Sequence, residues 1–274
     1  MVLVRVAEAE APAKVILVGE HFCVHGAPAV SMAINLYARV KVRLDREKKG
    51  VKVSMEGVPP TFKVRVAEGK VEALYPLKMA VEEVLRRASE KLSKPLPGLE
   101  VKISSQIPVG AGLGSSASLA SATIAASARI LGLNPSKEAI IELCSIPERF
   151  IHGNPSGIDP TTVVLGGMIV FRRGQPPVRL SPAKPLSLIV GDTGVRRTTG
   201  LLVQEFSEIL SRKVRAEENL RKAGKLTFKA VRAIREGNLE ALGETMDEAH
   251  LLLASMGVST PELDRLVEAA RQAG

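Results

Sequence analysis

Pro108-Val109-Gly110-Ala111-Gly112-Leu113-Gly114-Ser115-Ser116-Ala117 places three glycines within five positions, between two stretches of different periodicity. Upstream, Leu99 to Ile107 alternates apolar and polar residues and predicts a strand. Downstream, the Ala- and Ser-rich run from Ser115 to Leu133 predicts a helix that packs closely on a sheet. A strand, a glycine loop and a helix start, in that order, form an anion cradle. Glycines let the backbone turn sharply and approach a ligand, and the free N–H groups of the first helical turn point outward at the positive end of the helix dipole. Phosphate fits such a cradle. The loop is not a Walker A motif, because no Lys follows its last glycine, and not G-x-G-x-x-G, because its third glycine comes one residue early. Its two terminal hydroxyls, Ser115 and Ser116, can cap the helix and coordinate a metal carried by phosphates. The plainer alternative is a tight turn with an ordinary Ser N-cap.

The whole chain narrows the classes of function. Its 274 residues suffice for one large or two ordinary domains, and 45% hydrophobic residues without a charge block indicate an ordered globular protein. Cys23 and Cys144 are too few for a disulfide framework and lack metal-ligand spacing, so they are expected as core thiols in a reducing cytoplasm. The N-terminus has no signal-peptide pattern, and the most hydrophobic window, Leu119 to Leu133, carries Arg129 and is too short to span a bilayer. The net charge of +9 suits an anionic substrate as well as nucleic acid. With no Trp and two Tyr, stacking platforms for nucleic acid are scarce, and the cations are spread along the chain.

Read in order, Val2 to Val6 predicts a short strand and Val15 to Val18 a buried one, which runs into Gly19, Glu20 and His21. Lys14 stands just before that apolar run, where a cation is awkward without an anion to meet. Tyr37 to Leu44, Val51 to Met55 and Thr61 to Val66 predict further strands. Pro76 to Ser93 predicts an amphipathic helix, and Asn134-Pro135 an N-cap and first position for a helix through Phe150. In the turn that follows, Asp159 between Ile158 and Pro160 is a candidate general base, or a turn-forming Asp of the ordinary kind. Val163 to Phe171 predicts a strand, and the Pro-rich Gln175 to Pro185 a connection, giving domains of 1–180 and 181–274. Leu186 to Val190 predicts a strand ending in Asp192-Thr-Gly-Val-Arg-Arg-Thr-Thr, whose arginines suit a carboxylate clamp. Helices are expected at Leu201 to Ala223, Leu226 to Arg235 and Leu239 to Ser255, and from Pro261 onward.

Together these stretches resemble the GHMP small-molecule kinases, in the form carried by the mevalonate-phosphorylating branch. The carriers are Ala11-Pro-Ala-Lys-Val-Ile-Leu-Val-Gly-Glu-His, the loop from Pro108 to Ala117, His152-Gly-Asn-Pro-Ser-Gly-Ile-Asp159, and Asp192 to Thr199. The resemblance implies an α+β, two-domain fold: an N-terminal ATP-binding domain with a left-handed βαβ unit, a ferredoxin-like C-terminal domain, and a site in the cleft between them. It implies ATP- and Mg²⁺-dependent phosphorylation of the 5-hydroxyl of mevalonate, in the cytoplasm, as a step of isoprenoid biosynthesis. A homodimer stays open, and neither nucleic acid nor membrane is expected as a partner. Asp159 would accept the hydroxyl proton, with Lys14 beside it. Pro108, Gly110, Ala111, Gly112, Leu113, Gly114, Ser115 and Ser116 would hold the nucleotide, and Ser116 and Glu148 the metal. Glu20, His21, Arg197 and Thr199 would hold mevalonate. The family's third motif, expected after a helix like Pro261 to Ala273, is not seen, which implies an incomplete C-terminal domain. A phosphomevalonate or homoserine kinase, or a catalytically impaired nucleotide-binding fragment, is the alternative.

Overall fold

The computed structural model describes residues 5–45, 49–58, 63–66, 69–93, 96–153, 155–195, 206 and 216–273. Its strands are β1 (Val6–Val18), β2 (Ala29–Asp45), β3 (Val51–Met55), β4 (Lys63–Val66), β5 (Gly69–Glu72), β6 (Gly98–Ser105), β7 (Met168–Phe171) and β8 (Val178–Arg179). The helices are α1 (Tyr75–Leu92), α2 (Ser115–Ile130), α3 (Lys137–His152), α4 (Ile158–Leu165), α5 (Ala216–Glu236), α6 (Leu239–Ser255) and α7 (Pro261–Ala273). A 3-10 turn spans Phe22–His25. The chain divides into two units, residues 1–14 with 33–166, and residues 15–32 with 167–274. No described helix is long and apolar enough to cross a membrane.

In the first unit β6 pairs antiparallel with β2, from Ala38 opposite Ser105 to Asp45 opposite Gly98, and parallel with β3. A parallel pair needs a crossover. Here the β4–β5 hairpin and α1 supply it. Val40, Val42, Leu99, Val101 and Ile103 alternate into one core with Leu77, Val81 and Val84 of α1 and Ala120, Ile124 and Ala128 of α2. Small side chains let α2 lie close on its neighbours, and this helix also buries hydroxyls. Ser118 donates to the carbonyls of Pro12 (2.7 Å) and Gly114 (2.9 Å), whereas the hydroxyls of Thr123 and Ser127 are buried without a hydrogen-bond partner among the described residues. An unsatisfied buried hydroxyl costs about 1–3 kcal/mol. Ser127→Ala is therefore expected to raise the melting temperature by roughly 2–4 °C in calorimetry, while Ser118→Ala lowers it.

Several boundaries differ from the sequence expectation for identifiable reasons. β1 starts at Val6 and continues through Pro12 to Val18. Proline is tolerated because β1 pairs with β2 alone among the described strands, and the Pro12 carbonyl is taken by Ser118. Residues 2–4 of the expected first strand lie outside the described residues. The α3 cap is Ser136, not Asn134: the Ser136 side chain accepts the Ala139 N–H. Val163 to Leu165 are helical, and the strand begins only at Met168, after Gly166 and Gly167. A short apolar run does not distinguish strand from buried helix by pattern.

In the second unit β7 pairs antiparallel with the start of β2 and with β8. Leu17, Val18, Val30 and Met168 form a core with Leu226, Ala230 and Ile234 of α5 and Leu242 and Ala249 of α6. The break expected between Ala223 and Leu226 is absent. Gly224 lies inside α5 facing the Pro28 ring, and Thr227 of the next turn donates to the Pro28 carbonyl at 2.8 Å. Leu186 to Val190 is not a strand: Leu186 and Leu188 pack partly on this core, but Ile189 is fully exposed. Of the helix expected over Leu201 to Ala223, residues 201–205 and 207–215 lie outside the described residues.

Candidate active site

The glycine loop leaves β6 through a reciprocal closure, in which Tyr37 N–H donates to the Gln106 side chain and Gln106 N–H to the Tyr37 carbonyl. Gly110, Gly112 and Gly114 all have positive φ, near 71–75°, while Ala111 and Leu113 between them do not. That alternation of sign is the pattern of an anion-binding nest of backbone N–H groups. α2 begins after Gly114 with no side-chain cap, which corrects the expectation that Ser115 or Ser116 caps it. Its first-turn N–H groups are left for a ligand. Ser116 has a different partner, Glu148 of α3, to which its hydroxyl donates at 2.9 Å.

Lys14 is tied to the loop twice. Its N–H donates to the Leu113 carbonyl at 3.0 Å, and its alkyl stem crosses Gly114 so closely that a Cβ there would lie 2.7 Å from Lys14 Cγ. Only glycine accommodates that crossing, which carries the ammonium to Asp159 at 2.9 Å. Asp159 sits in the first turn of α4, launched by Gly157 in the left-handed conformation. Lys14 is buried, and the Asp159 side chain is 29% exposed, so the carboxylate is both paired and reachable.

Glu148 is buried, and its carboxyl is pushed up to about 7 from its usual value near 4.5. Burial is the main cause and the charge of Asp159 the second; the Ser116 hydrogen bond and Lys14 act in the opposite direction. One turn earlier, burial and then Glu148 push the Cys144 thiol upward; Cys144 and Cys23 are both buried thiols outside any disulfide, as their sequence setting indicates. A carboxyl raised in the folded state contributes stability that is present below its unfolded value and lost as pH rises through the folded value. Metal-free protein is therefore expected to lose stability between about pH 4.5 and 7, on the order of 3 kcal/mol, and to level off above. Glu148→Gln should flatten that profile, and melting temperatures from pH 4 to 8 in chelator would show it. An unchanged slope would place the titration elsewhere.

In the second unit, Glu20 and His21 occupy a tight turn. The Phe22 N–H donates to the Glu20 carbonyl at 2.7 Å around His21, whose φ of 61° and ψ of −47° make a γ-turn of the rare positive-φ kind. Gly19 before it has φ of 101° and no room for a Cβ, which would lie 2.6 Å from the Pro28 carbonyl oxygen. The His21 ring lies 5.3 Å from Phe206, which meets Phe22 edge-on. Arg172 and Arg173 donate to the Gly26 and Val24 carbonyls at the end of the turn. Burial, then Arg173, lowers His25, which favours its neutral form. A backbone outlier at a polar residue is where functional strain concentrates.

The structure thus brings Lys14, Ser116, Glu148 and Asp159 together on the glycine loop, and places Glu20 and His21 in the strained turn. Arg197 and Thr199 lie outside the described residues. Sequence reading missed Ser118 and Phe206, for which one hydroxyl among many and one phenylalanine among six gave no signal.

Comparison with known proteins gives the family of the chain. Residues 77–167 match the GHMP kinases N terminal domain and residues 230–274 the GHMP kinases C terminal domain. The mevalonate kinase of Pyrococcus horikoshii is 38% identical over 295 aligned positions, covering 99% of this chain and 84% of the relative. That of Aeropyrum pernix is 35% identical, with 98% and 83% covered. The crystal structure of L. major mevalonate kinase in complex with R-mevalonate superposes with a TM-score of 0.79 at 26% identity, covering 97% of this chain and 81% of that one. The chain belongs to the GHMP kinase family.

Proposed function

We propose that the chain is a mevalonate kinase, transferring the γ-phosphoryl group of ATP to the 5-hydroxyl of mevalonate. The observation that carries this reading is the Lys14–Asp159 pair, a buried cation on a reachable carboxylate, set against the glycine loop within one unit. The enzyme names of relatives at 35–38% identity supply the acceptor.

Asp159 takes the proton of the 5-hydroxyl as its oxygen attacks the γ-phosphorus, the bond from that phosphorus to the β,γ-bridging oxygen breaks, and ADP leaves. Lys14 fixes the orientation of Asp159 and lowers the cost of negative charge on the attacking oxygen. The nest and the first turn of α2 hold the phosphates. Ser116 and Glu148 would hold Mg²⁺: they offer hard oxygen donors, and a cation there would offset the burial and the Asp159 charge that disfavour the ionised Glu148 carboxylate. When bound, the metal neutralises charge on the β- and γ-phosphoryl oxygens. Glu20, His21, Arg197 and Thr199 are assigned to mevalonate, with Arg197 on its carboxylate; the strained geometry of His21 supports that use.

ADP release from Mg-ATP, measured with mevalonate, phosphomevalonate and homoserine in parallel, tests the reading. Turnover specific to mevalonate is expected. Turnover confined to another acceptor would keep the chemistry and replace the substrate, and ATP binding without turnover of any acceptor would leave a nucleotide-binding protein.

A further inference from the structure

Hydroxyls inside helices commonly donate to the carbonyl four residues back, as Thr161 does to Gly157 and Thr245 to Ala241. Two hydroxyls of this chain do that and also reach a carbonyl outside their helix. In the first unit Ser118 of α2 donates to Gly114 at 2.9 Å and to Pro12 of β1 at 2.7 Å. In the second unit Thr227 of α5 donates to Ala223 at 3.0 Å and to Pro28, the residue before β2, at 2.8 Å. Both residues are fully buried. In both cases the distant acceptor belongs to a proline, whose carbonyl is its one backbone hydrogen-bonding group. A segment that cannot be fastened there through an N–H is fastened through its carbonyl.

Each proline lies beside a group assigned to the reaction. Pro12 precedes Lys14 by two residues, and Lys14 itself donates its N–H to the Leu113 carbonyl at 3.0 Å. β1 is thus tied to the glycine loop and α2 at residues 12 and 14, on either side of the buried Ala13. Gly114 takes part twice: its carbonyl accepts from Ser118, and its bare Cα gives the Lys14 stem its passage. The ammonium that meets Asp159 at 2.9 Å therefore starts from a doubly fixed backbone. With the Pro12 tie removed, β1 can shift about the remaining one, and the shift is carried to the end of a long side chain. Pro28 does the corresponding work for the turn of Glu20 and His21. Its carbonyl oxygen comes so near Gly19 that a Cβ there would lie 2.6 Å away, and its ring lies against Gly224 of α5. Gly19 leads directly into the positive-φ geometry of His21, so the residue that Thr227 holds is the one on which the strained turn rests.

We propose that Ser118 and Thr227 are positioning residues for phosphoryl transfer, Ser118 setting the Lys14 ammonium on Asp159 and Thr227 setting the turn of Glu20 and His21 that meets the acceptor. This rests on the phosphotransfer reading above. Each hydroxyl acts through the proline it holds, and the two differ in kinetic consequence. Misplacing Lys14 weakens an interaction of the chemical step and lowers kcat, whereas displacing the His21 turn weakens acceptor binding and raises KM.

Steady-state kinetics of the full chain with Mg-ATP and mevalonate test it. Ser118→Ala is expected to lower kcat roughly 5- to 50-fold with the acceptor KM within about twofold, and Ser118→Cys, a weaker donor of similar size, to fall between it and wild type. Thr227→Val is expected to raise the acceptor KM roughly 5- to 20-fold with kcat within about twofold. Thr227→Ser keeps the hydroxyl and loses a methyl, so it should retain the wild-type KM while melting lower. Ser121→Ala and Thr245→Val remove buried hydroxyls that bond within their own helices, and should lower the melting temperature while leaving both constants unchanged. Wild-type kcat in Ser118→Ala overturns the role of Ser118, and wild-type acceptor KM in Thr227→Val that of Thr227. Equal kinetic losses in Ser121→Ala and Thr245→Val overturn both roles, since the defect then follows stability alone. Wild type that turns over no acceptor overturns the phosphotransfer reading and both roles with it.

Discussion

Asp159→Asn is expected to lower kcat by about 10²- to 10⁴-fold, with KM for ATP changed by no more than a few fold. Asn keeps the shape of the side chain and its polar contact with Lys14, 2.9 Å away, but has no lone pair basic enough to take a proton from the acceptor hydroxyl. The nest, the first turn of α2 and the Ser116–Glu148 pair do not depend on Asp159, so the nucleotide keeps its contacts. The substitution carries a second signature. Asp159 is one of the charges that raise Glu148, so its removal should let the Glu148 carboxyl ionise at lower pH and shallow the stability profile of metal-free protein between about pH 4.5 and 7. Steady-state kinetics and melting curves on the same preparation read both effects. A variant with wild-type kcat would remove Asp159 from proton transfer, and an unchanged stability profile would separate it from Glu148.

What could be read from sequence divides by the range of the interaction. The glycine loop was legible because its constraint is local: positive φ at Gly110, Gly112 and Gly114 needs glycine whatever surrounds it. Alternation disclosed β3 and β6, and helical spacing disclosed α1 to within a residue at each end, because each buries one face against one core. Lys14 and Asp159 were candidates through their apolar neighbours and through a family resemblance; that they meet is a fact of tertiary structure between residues 145 positions apart. The misreadings occur where a distant partner overrides a local rule. Pro12 stays in a strand because Ser118 takes its carbonyl, Gly224 stays in a helix because Pro28 lies against it, and Ser116 abandons a capping role for Glu148.

Lys14→Met is expected to cost about 10²- to 10³-fold in kcat and to change the pH dependence of stability. Met retains the unbranched stem that crosses Gly114, so the loop keeps its packing and only the charge is lost. That charge faces two carboxylates, Asp159 directly and Glu148 through its field. Without it Glu148 loses a charge that favours its ionised form and keeps the repulsion of Asp159, so Glu148 holds its proton to higher pH. A further raised Glu148 also acts on folding. Stability present at low pH is lost as pH rises through the folded value, so metal-free Lys14→Met should fall further below wild type near pH 8 than near pH 5. Because Lys14 and Asp159 act on one proton as one pair, the double variant Lys14→Met/Asp159→Asn should be within about tenfold of Asp159→Asn alone. Multiplication of the two single losses would mean that Lys14 serves the phosphates independently of Asp159.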